Sequence, residues 1–429
     1  MLIGADTRSG SADYSPMLTA TDTHDVLETP RAVTHTAAPL AARIAAVDAY
    51  RGLVMLLMFG EVLRSCAVAA ALPASELWAL ICTQQTHAAW AGASLHDLIQ
   101  PSFYFVVGIG LFLSMRRRLS SGATPQAMAR HVAARSLILI VLGMAILSAG
   151  PRHWQWWFVD TLTQIGLAYP FAYLIARRPP RDWGIAIAVI LIGYWLWFAM
   201  TPPLPDFAYS AVGVPPGWID AHGLSGFGAH WQIGTNAAAQ FDRWLVNLFP
   251  ADEPFIGEPT GLTTLNFIPS IATMLLGLFA ASTLSSAASP HARIRRLCVA
   301  GGLLLTAGSV LGILGVCPIV KSIWTPSWVL FSGGLCYLML AAFYAVFDVG
   351  ALAWAAWPLR IAGTNSIVGY VISRIYPAFA FNGIRRIVGS RVFGVMGPAY
   401  DPAFYGCVVL AGYWLVLYVL YRRRVFVRV

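Results

Sequence analysis

Long apolar stretches alternate with short polar ones along most of this chain. About ten of the apolar stretches are long enough to cross a bilayer as helices. They cover residues 48–72, 98–115, 134–150, 158–176, 183–201, 263–284, 298–316, 327–348, 359–379 and 403–421. A backbone in lipid must satisfy its own hydrogen bonds, which a helix does. The pattern therefore predicts an all-α, polytopic integral membrane bundle of about ten transmembrane helices within residues 43–429.

Two regions depart from this pattern. Residues 1–42 are rich in Ala, Thr, Asp, Ser and Pro and lack both the cationic start and the apolar run of a signal peptide. We expect them to form a disordered cytoplasmic tail. Segment 202–262 is too long for a simple connection, so we expect an extracytoplasmic loop that acts as a lid or substrate surface. A loosely ordered loop is the alternative.

The arginines predict the orientation of the bundle. They follow the second, fourth, sixth and tenth apolar segments, as the positive-inside rule requires if both termini are cytoplasmic and the protein lies in the cell inner membrane. The basic clusters are Arg116, Arg117, Arg118, Arg130 and Arg135, then Arg177, Arg178 and Arg181, then Arg293, Arg295 and Arg296, and finally Arg422, Arg423 and Arg424. Arg385, Arg386 and Arg391 fall in a predicted outside segment, which leaves the topology around 380–402 open.

Composition narrows the class of protein. The chain is 58% hydrophobic and only 11% charged, which excludes an ordinary soluble domain. Its net charge of +9 does not indicate nucleic-acid binding, because the basic residues lie between apolar segments and Lys321 is the only lysine. The six cysteines are scattered without a CxxC motif, so we expect free, buried thiols and neither a disulfide framework nor a metal site.

The stretch 84–105 carries the densest chemistry. Ser94-x-x-Asp97 before an apolar run predicts a capping-box-like helix start. Pro101 deprives the Asp97 carbonyl of a helical partner, so we expect a kink there. Free backbone groups at membrane depth are tolerated beside protein or a wet cavity, so this position suits a site.

His87 is the first catalytic candidate. A neutral imidazole can take a proton from an attacking amine or hydroxyl, or carry an acyl group itself. Asp97 could orient it if the loop folds back. The alternative is an interfacial histidine bonded to a loop carbonyl. His96 is adjacent to Asp97, so we expect it on another face, at a solvated helix start.

Charged residues in the first apolar segment form a second candidate group. Asp48 and Arg51 share a helical face at i,i+3 spacing, and Glu61 and Arg64 repeat that spacing further in. Charges at such depth usually face a bundle interior or a cavity. They could be self-neutralising pairs that fix packing. Arg51 could instead bind an anionic cosubstrate through a bidentate contact.

Asn365 and Ser366 place hydrogen-bonding groups inside another apolar segment. They could bind a carbonyl or a sugar hydroxyl, although helix-to-helix hydrogen bonding is the commoner explanation. Gly108 and Gly110 lie within a membrane helix and favour a packing notch. The sequence has no GxSxG, Walker A, HExxH or dinucleotide-binding motif.

The order of these motifs resembles the transmembrane heparan-alpha-glucosaminide N-acetyltransferase family over roughly residues 43–421. The central motif runs from His87-Ala88-Ala89-Trp90-Ala91-Gly92 to Asp97-Leu98-Ile99-Gln100-Pro101-Ser102-Phe103 and Gly108. The other matching pieces are Val47-Asp48-Ala49-Tyr50-Arg51-Gly52, Glu258-Pro259-Thr260-Gly261-Leu262, Ile268 to Gly277, Trp324-Thr325-Pro326-Ser327-Trp328-Val329-Leu330-Phe331 and Gly363-Thr364-Asn365-Ser366.

The resemblance implies a multi-pass enzyme that takes acetyl groups from cytoplasmic acetyl-CoA and delivers them to a glucosamine amine on the far side. The active histidine of the family falls on His87, and Asp97 and Asn365 are matched through their own motifs. The sequence departs from the family at Glu61 and Arg64, and it lacks the large N-terminal extracytoplasmic domain of lysosomal members. We therefore expect an acceptor other than heparan.

These observations predict an acyltransferase that acts on an amino sugar or cell-envelope glycan. The catalytic candidates are His87 and Asp97, the substrate-binding candidates are Trp90, Glu61, Arg64, Asn365 and Ser366, and the acetyl-CoA-binding candidates are Arg51 and Asp48. Expected partners are acetyl-CoA, the acceptor and the lipid bilayer, with a homodimer left open and no nucleic acid or metal. The alternatives are a sugar or glycan transporter that uses Glu61 and Arg64 as coupling charges, and a non-catalytic assembly partner.

Overall fold

Helices make up most of the chain in the computed structural model, which describes residues 44–151, 154–350, 352–375 and 396–427, with positions 383, 386 and 389. The predicted tail 1–42 lies outside the described residues, as does most of the loop around 380–402. The helices are α1 Ala45–Phe59, α2 Ser65–Ala71, α3 Glu76–Gln85, α4 Ile99–Ser120, α5 Pro125–Leu147, α6 Thr161–Ala176, α7 Pro180–Met200, α8 Trp218–His222, α9 Ala237–Val246, α10 Phe267–Leu284, α11 Pro290–Ile313, α12 Pro326–Tyr344, α13 Trp357–Thr364, α14 Ser366–Ile375 and α15 Asp401–Arg422.

Among the described residues, seven helices are long and apolar enough to cross a membrane, or eight if the bent pair at the start counts as one span. The all-α architecture is therefore confirmed for this part of the chain, and the count of ten is not. Two of the predicted spans are not among these helices. Helix α6 has 16 residues, which is short for a bilayer crossing. Segment 359–379 divides into α13 and α14 at Asn365.

Glycines allow the central helices to approach one another closely. A Cβ on Gly108 of α4 would lie 2.0 Å from the Met274 carbonyl oxygen of α10, and one on Gly277 would lie 2.1 Å from that of Phe105. Backbones can pack this tightly only where a side chain is absent. The predicted notch is thus confirmed at Gly108, whereas Gly110 faces open space.

The first apolar segment is bent rather than straight. Helix α1 ends at Phe59, a 3-10 turn covers Gly60–Leu63, and Arg64 adopts a left-handed conformation with φ of 49° before α2 begins. The two helical parts meet at an angle of 41°. The expectation that Glu61 and Arg64 share an α-helical face is therefore wrong, because the α-helix has already ended when the chain reaches them.

Helices α2 and α3 form a hairpin joined by a disulfide between Cys66 and Cys82. The prediction of free, buried thiols is wrong for this pair, because cysteines 16 positions apart were not expected to face each other across a hairpin. It is also wrong for Cys298 and Cys407, which are exposed. The remaining two cysteines, at positions 317 and 336, are free and buried as expected.

Segment 202–262 folds into short helices that pack on the end of α7. Trp231 is fully buried there against Phe198 and joins a second apolar cluster, separate from the core of the bundle. Asn236 caps α9 by accepting a hydrogen bond from Ala239. The segment thus has regular structure, whereas its action as a lid or substrate surface stays a prediction. Below, "the lid" is only a name for residues 202–262.

Candidate functional site

Helix α3 ends two residues before His87 and leads the chain into the loop that carries it. The Gln85 side chain accepts a hydrogen bond from Ser65, which ties the end of α3 to the start of α2. Further on, Ser94 N–H donates to Asp97 Oδ2 at 3.0 Å, and Asp97 N–H donates to Ser94 Oγ at 3.3 Å. This reciprocal pair is the predicted capping box.

The predicted kink at Pro101 is wrong. A 3-10 turn, His96–Leu98, runs into α4, which begins at Ile99. Pro101 therefore lies in the first turn of α4, where backbone N–H groups have no helical partner to lose. As a result, the capping box leads directly into the helix.

Asp97 holds His87 in a defined orientation. The carboxylate is 1% exposed, and its Oδ1 lies 2.7 Å from Nδ1 of His87. Its Oδ2 accepts hydrogen bonds from the N–H groups of Ala88 and Ser94. A carboxylate that accepts so many donors is ionised, so Nδ1 of His87 carries the proton and donates. The lone pair of the imidazole is thereby placed on Nε2.

Lys321 is brought to the same histidine by a second loop. Ala91 and Val320 form an antiparallel bridge, and the N–H of Gly92 donates to the Ile319 carbonyl. Gly92 has a φ of 119°, which favours glycine at that place in the motif. The Lys321 ammonium then lies 3.3 Å from Nδ1 and 3.5 Å from Nε2 of His87, and 3.8 Å from Asp97 Oδ1.

These surroundings determine the protonation of the site. Partial burial lowers the pKa of His87, and the neighbouring Lys321 lowers it further, while the hydrogen bond to Asp97 opposes both effects. The net direction favours a neutral imidazole near pH 7. Burial also lowers the pKa of Lys321, although Asp97 supports its charged form.

His96 belongs to the site, contrary to the expectation of a solvated helix start. Its ring centroid lies 4.5 Å from that of His87. Its Nε2 lies 3.3 Å from Oε1 of Glu61, and its side chain is only 9% exposed. The expectation failed because the 3-10 turn before α4 rotates His96 towards the end of α1.

A cavity of about 580 Å³ opens in front of these side chains. His87, whose side chain is 54% exposed, faces into it. The walls come from the end of α1, the start of α4, the start of α6, the end of α14 and the lid. Aromatic lining residues are Trp90, Phe103, Trp157, Trp218 and Tyr370, and charged ones include Glu61, Asp160, Glu258, Lys321 and Arg374.

The lid is held at the cavity by Trp90. This buried indole donates to the Trp231 carbonyl at 3.1 Å, and its ring packs edge-on against Trp218. A Cβ on Gly261 would lie 2.5 Å from the Trp90 ring, so the backbone at this position packs closely against the indole. Glu258 lines the cavity beside this contact, and burial raises its pKa.

The sequence-predicted site residues fall into two groups. His87, Asp97, Trp90 and Glu61 line this one cavity. Arg64, three residues beyond Glu61, has an exposed side chain and is not among the lining residues.

The other group lies elsewhere in the bundle. Asn365 is fully buried, and its side chain bonds the backbone of Val425 and Val427. Ser366 Oγ donates to the Gly363 carbonyl at 2.8 Å. Asp48 and Arg51 are on α1, and Arg51 is about 10 Å along the helix from the cavity-lining residue Met58.

Sequence reasoning missed three members of the cavity. Lys321 was noted only as the single lysine, although a lone lysine in a chain so rich in arginine is a signal in itself. Glu258 belongs to a recognised motif without an assigned role. Arg374 also lines the cavity. It lies in the last turn of α14, and no sequence pattern predicted that this end of the helix would be near α1.

Comparisons with known proteins agree with the motifs. The chain is 24% identical to the heparan-alpha-glucosaminide N-acetyltransferases of Homo sapiens and Mus musculus, over 90% of its own length. It spans 60% of the length of these curated relatives. No model of a protein family matches the chain. The resemblance inferred from the motifs is confirmed: this helical membrane protein is distantly similar, over nearly all of its length, to heparan-alpha-glucosaminide N-acetyltransferases.

Proposed function

We propose that this protein is a membrane acyltransferase that moves an acetyl group from acetyl-CoA to the amine of an amino sugar or cell-envelope glycan. The observation that carries the proposal is His87, which is oriented by Asp97, lies beside Lys321 and faces a cavity of about 580 Å³. A volume of that order suits a small polar ligand. The names of the curated relatives support the reaction class.

The reacting atom is Nε2 of His87. Lys321 Nζ lies 3.5 Å from Nε2, a long contact that a bound substrate would replace. Because Nδ1 donates to Asp97, the Nε2 lone pair points away from the carboxylate and can then react. It can take the proton of the attacking amine, or it can attack the thioester carbon and hold the acetyl group in transit. In either case the C–S bond breaks, a C–N bond forms to the acceptor, and the amine proton replaces the acetyl group on sulfur.

Lys321 supplies positive charge where negative charge develops. Its ammonium lies 3.5 Å from Nε2, close to where the carbonyl oxygen of the acetyl group would develop charge. The same ammonium would also stabilise the departing thiolate. The lysine is largely buried, with a side chain only 14% exposed, so water screens this interaction less than at an open surface.

The acceptor is proposed to bind between the lid and the dyad. Trp90 and Trp218 offer apolar ring surfaces, and Glu61 and Glu258 offer acceptors for hydroxyl and amine groups. Such a mixture of aromatic and carboxylate groups suits a sugar. Arg64, Asn365 and Ser366 lie outside the lining of this cavity and would act on the acceptor only indirectly.

The donor is proposed to come from the cytoplasm, with its phosphates near Arg51 and Asp48 at the far end of α1. The basic loops support this orientation through the positive-inside rule. The disulfide between Cys66 and Cys82 also supports this orientation. Such bonds persist in oxidising compartments, and this one is near the cavity, which would therefore open on the side away from the cytoplasm.

The test is acetyl transfer from labelled acetyl-CoA to a panel of amino sugars by the purified, full-length protein in lipid nanodiscs. We expect thiol release that depends on the acceptor and loss of that activity in His87→Ala. His291→Ala, at an exposed position at the start of α11, is the matched control and should retain it. Absence of transfer by the wild type, or full activity of His87→Ala, would contradict the proposal. Uptake of labelled sugar into proteoliposomes without CoA would favour the transporter.

A further inference from the structure

The cavity contains a second imidazole and carboxylate pair beside the first. His96 Nε2 lies 3.3 Å from Glu61 Oε1, and the His96 ring lies 4.5 Å from the His87 ring. Both members line the cavity. Glu61 lies in the 3-10 turn that follows α1, and His96 begins the 3-10 turn that precedes α4.

The two imidazoles have different electrostatic neighbours. His87 lies against the Lys321 ammonium, so a proton added to its ring would meet a like charge 3.3 Å away. Both rings have a carboxylate partner, since Asp97 Oδ1 lies 2.7 Å from His87 Nδ1 and Glu61 Oε1 lies 3.3 Å from His96 Nε2, and the Lys321 ammonium lies against His87. An imidazole whose Nε2 carries the acetyl group has no lone pair left on that atom to accept a proton, so the second imidazole in the same cavity is placed to accept it.

We infer that His96, oriented by Glu61, is the base that removes the proton from the acceptor amine, while His87 handles the acetyl group. This inference rests on the proposed function and divides its chemistry between two side chains. Because Nε2 of His96 is held by Glu61, Nδ1 is the nitrogen that exchanges the proton.

Atoms and electrons balance in each step of this division. The Nε2 lone pair of His87 forms a bond to the thioester carbon, the C–S bond breaks, and its electron pair leaves on the thiolate beside Lys321. The acceptor nitrogen then attacks the acetyl carbon, and the C–Nε2 bond breaks with its electron pair returning to His87. The extra proton on the acceptor nitrogen passes to His96 and then to solvent, and the thiolate released in the first step takes one proton from solvent.

The experiment compares two acceptors in His96→Gln. Glucosamine needs a base to lose its proton, whereas hydroxylamine is weakly basic and loses its proton to water. We expect transfer to glucosamine to fall about 100-fold or more, and transfer to hydroxylamine to fall less than about 5-fold. Thiol release in a single turnover without acceptor should stay near the wild-type rate. His291→Gln is the matched control and should change none of the three rates.

Glu61→Gln and chemical rescue extend the test. Glu61→Gln should lower the ratio of the transfer rate to glucosamine over that to hydroxylamine by about 10-fold. This loss is smaller than the one expected for His96→Gln, because the imidazole stays in place. Added imidazole should restore part of the glucosamine activity of His96→Ala.

Equal losses of thiol release and of both transfers in His96→Gln would mean a structural role and would overturn the inference. So would an unchanged ratio between the two acceptors. An inactive wild type would instead remove the proposed function on which the inference rests.

Discussion

Asp97 and Asn365 are both buried polar side chains in an apolar bundle, and they do opposite things. Asp97 is 1% exposed and Asn365 is 0% exposed. The Asn365 side chain bonds the backbone of Val425 and Val427, which closes a helix break with the C-terminal segment. Asp97 binds the His87 loop, and two of its partners, His87 and Lys321, line the cavity.

Burial and polarity alone therefore do not distinguish a residue of a binding site from one that only stabilises packing. Both residues satisfy their hydrogen bonds, as buried polar groups must. What differs is whether a hydrogen-bond partner faces a cavity in which a ligand could bind, as His87 does. Substitutions in the two regions test that difference.

The largest effect is expected for Asp97→Asn. An amide can donate to Nδ1 of His87, which would move the imidazole proton to Nε2 and remove the reactive lone pair. Acetyl transfer should fall by about 10³-fold or more. The measurement is kcat of protein that still elutes as a single, monodisperse peak. Retention of more than about a tenth of the wild-type activity would contradict the role assigned to this residue.

Lys321→Met should come next, with a loss of about 10- to 100-fold in kcat. Because the ammonium lowers the pKa of His87, its removal should raise that pKa, and the acidic limb of the pH–rate profile should move to higher pH. Lys321→Arg keeps the charge and should leave the limb near its wild-type position. An unshifted limb in Lys321→Met would show that this charge does not act on the imidazole.

Asn365→Ala should affect stability and leave the chemistry unchanged. It leaves the Val427 N–H and the Val425 carbonyl without their partner, which costs about 1–3 kcal/mol. We expect a lower melting temperature in nanodiscs and an unchanged kcat per folded molecule. A selective loss of kcat at normal stability would instead place Asn365 in the chemistry.

The smallest effect is expected for Asp242→Asn in the lid. Burial raises the pKa of Asp242 to about 7, and its Oδ2 accepts from the Thr264 N–H. The folded protein therefore holds a proton that an unfolded chain releases above about pH 4, so this carboxyl lowers stability as pH rises from about 4 to about 7, and the loss levels off above 7. Asp242→Asn should flatten the decline in melting temperature between pH 5 and 8. An unchanged slope would contradict the raised pKa.

Sequence patterns predicted the helical architecture and the local structure around His87 and Asp97. Apolar length predicted spanning helices, and the spacing of Ser94 and Asp97 predicted the cap that positions the dyad. Local patterns could not predict contacts set by the tertiary fold. Lys321 is 234 residues from His87, and the two meet only because Ala91 pairs with Val320.

Local breaks in the helices were also hidden from the sequence. Periodicity treats residues 48–72 as one helix, whereas the left-handed Arg64 bends the chain and turns Glu61 towards His96. Cys66 and Cys82 pair because the chain turns back between α2 and α3, where the Ser75 N–H donates to the Leu72 carbonyl. These contacts depend on where each helix ends, and hydrophobic periodicity defines helix ends poorly.

Because the sequence has a single lysine, the site can be labelled selectively. An amine-selective acylating label has one side chain to modify in the whole polypeptide, apart from the α-amino group, and that side chain is Lys321. Because burial lowers its pKa, more of it is in the reactive free-amine form than for an ordinary lysine. The extent of tagging, read as one mass increment on an intact chain, would report occupancy of the cavity by any compound that shields this amine, whatever its chemical identity.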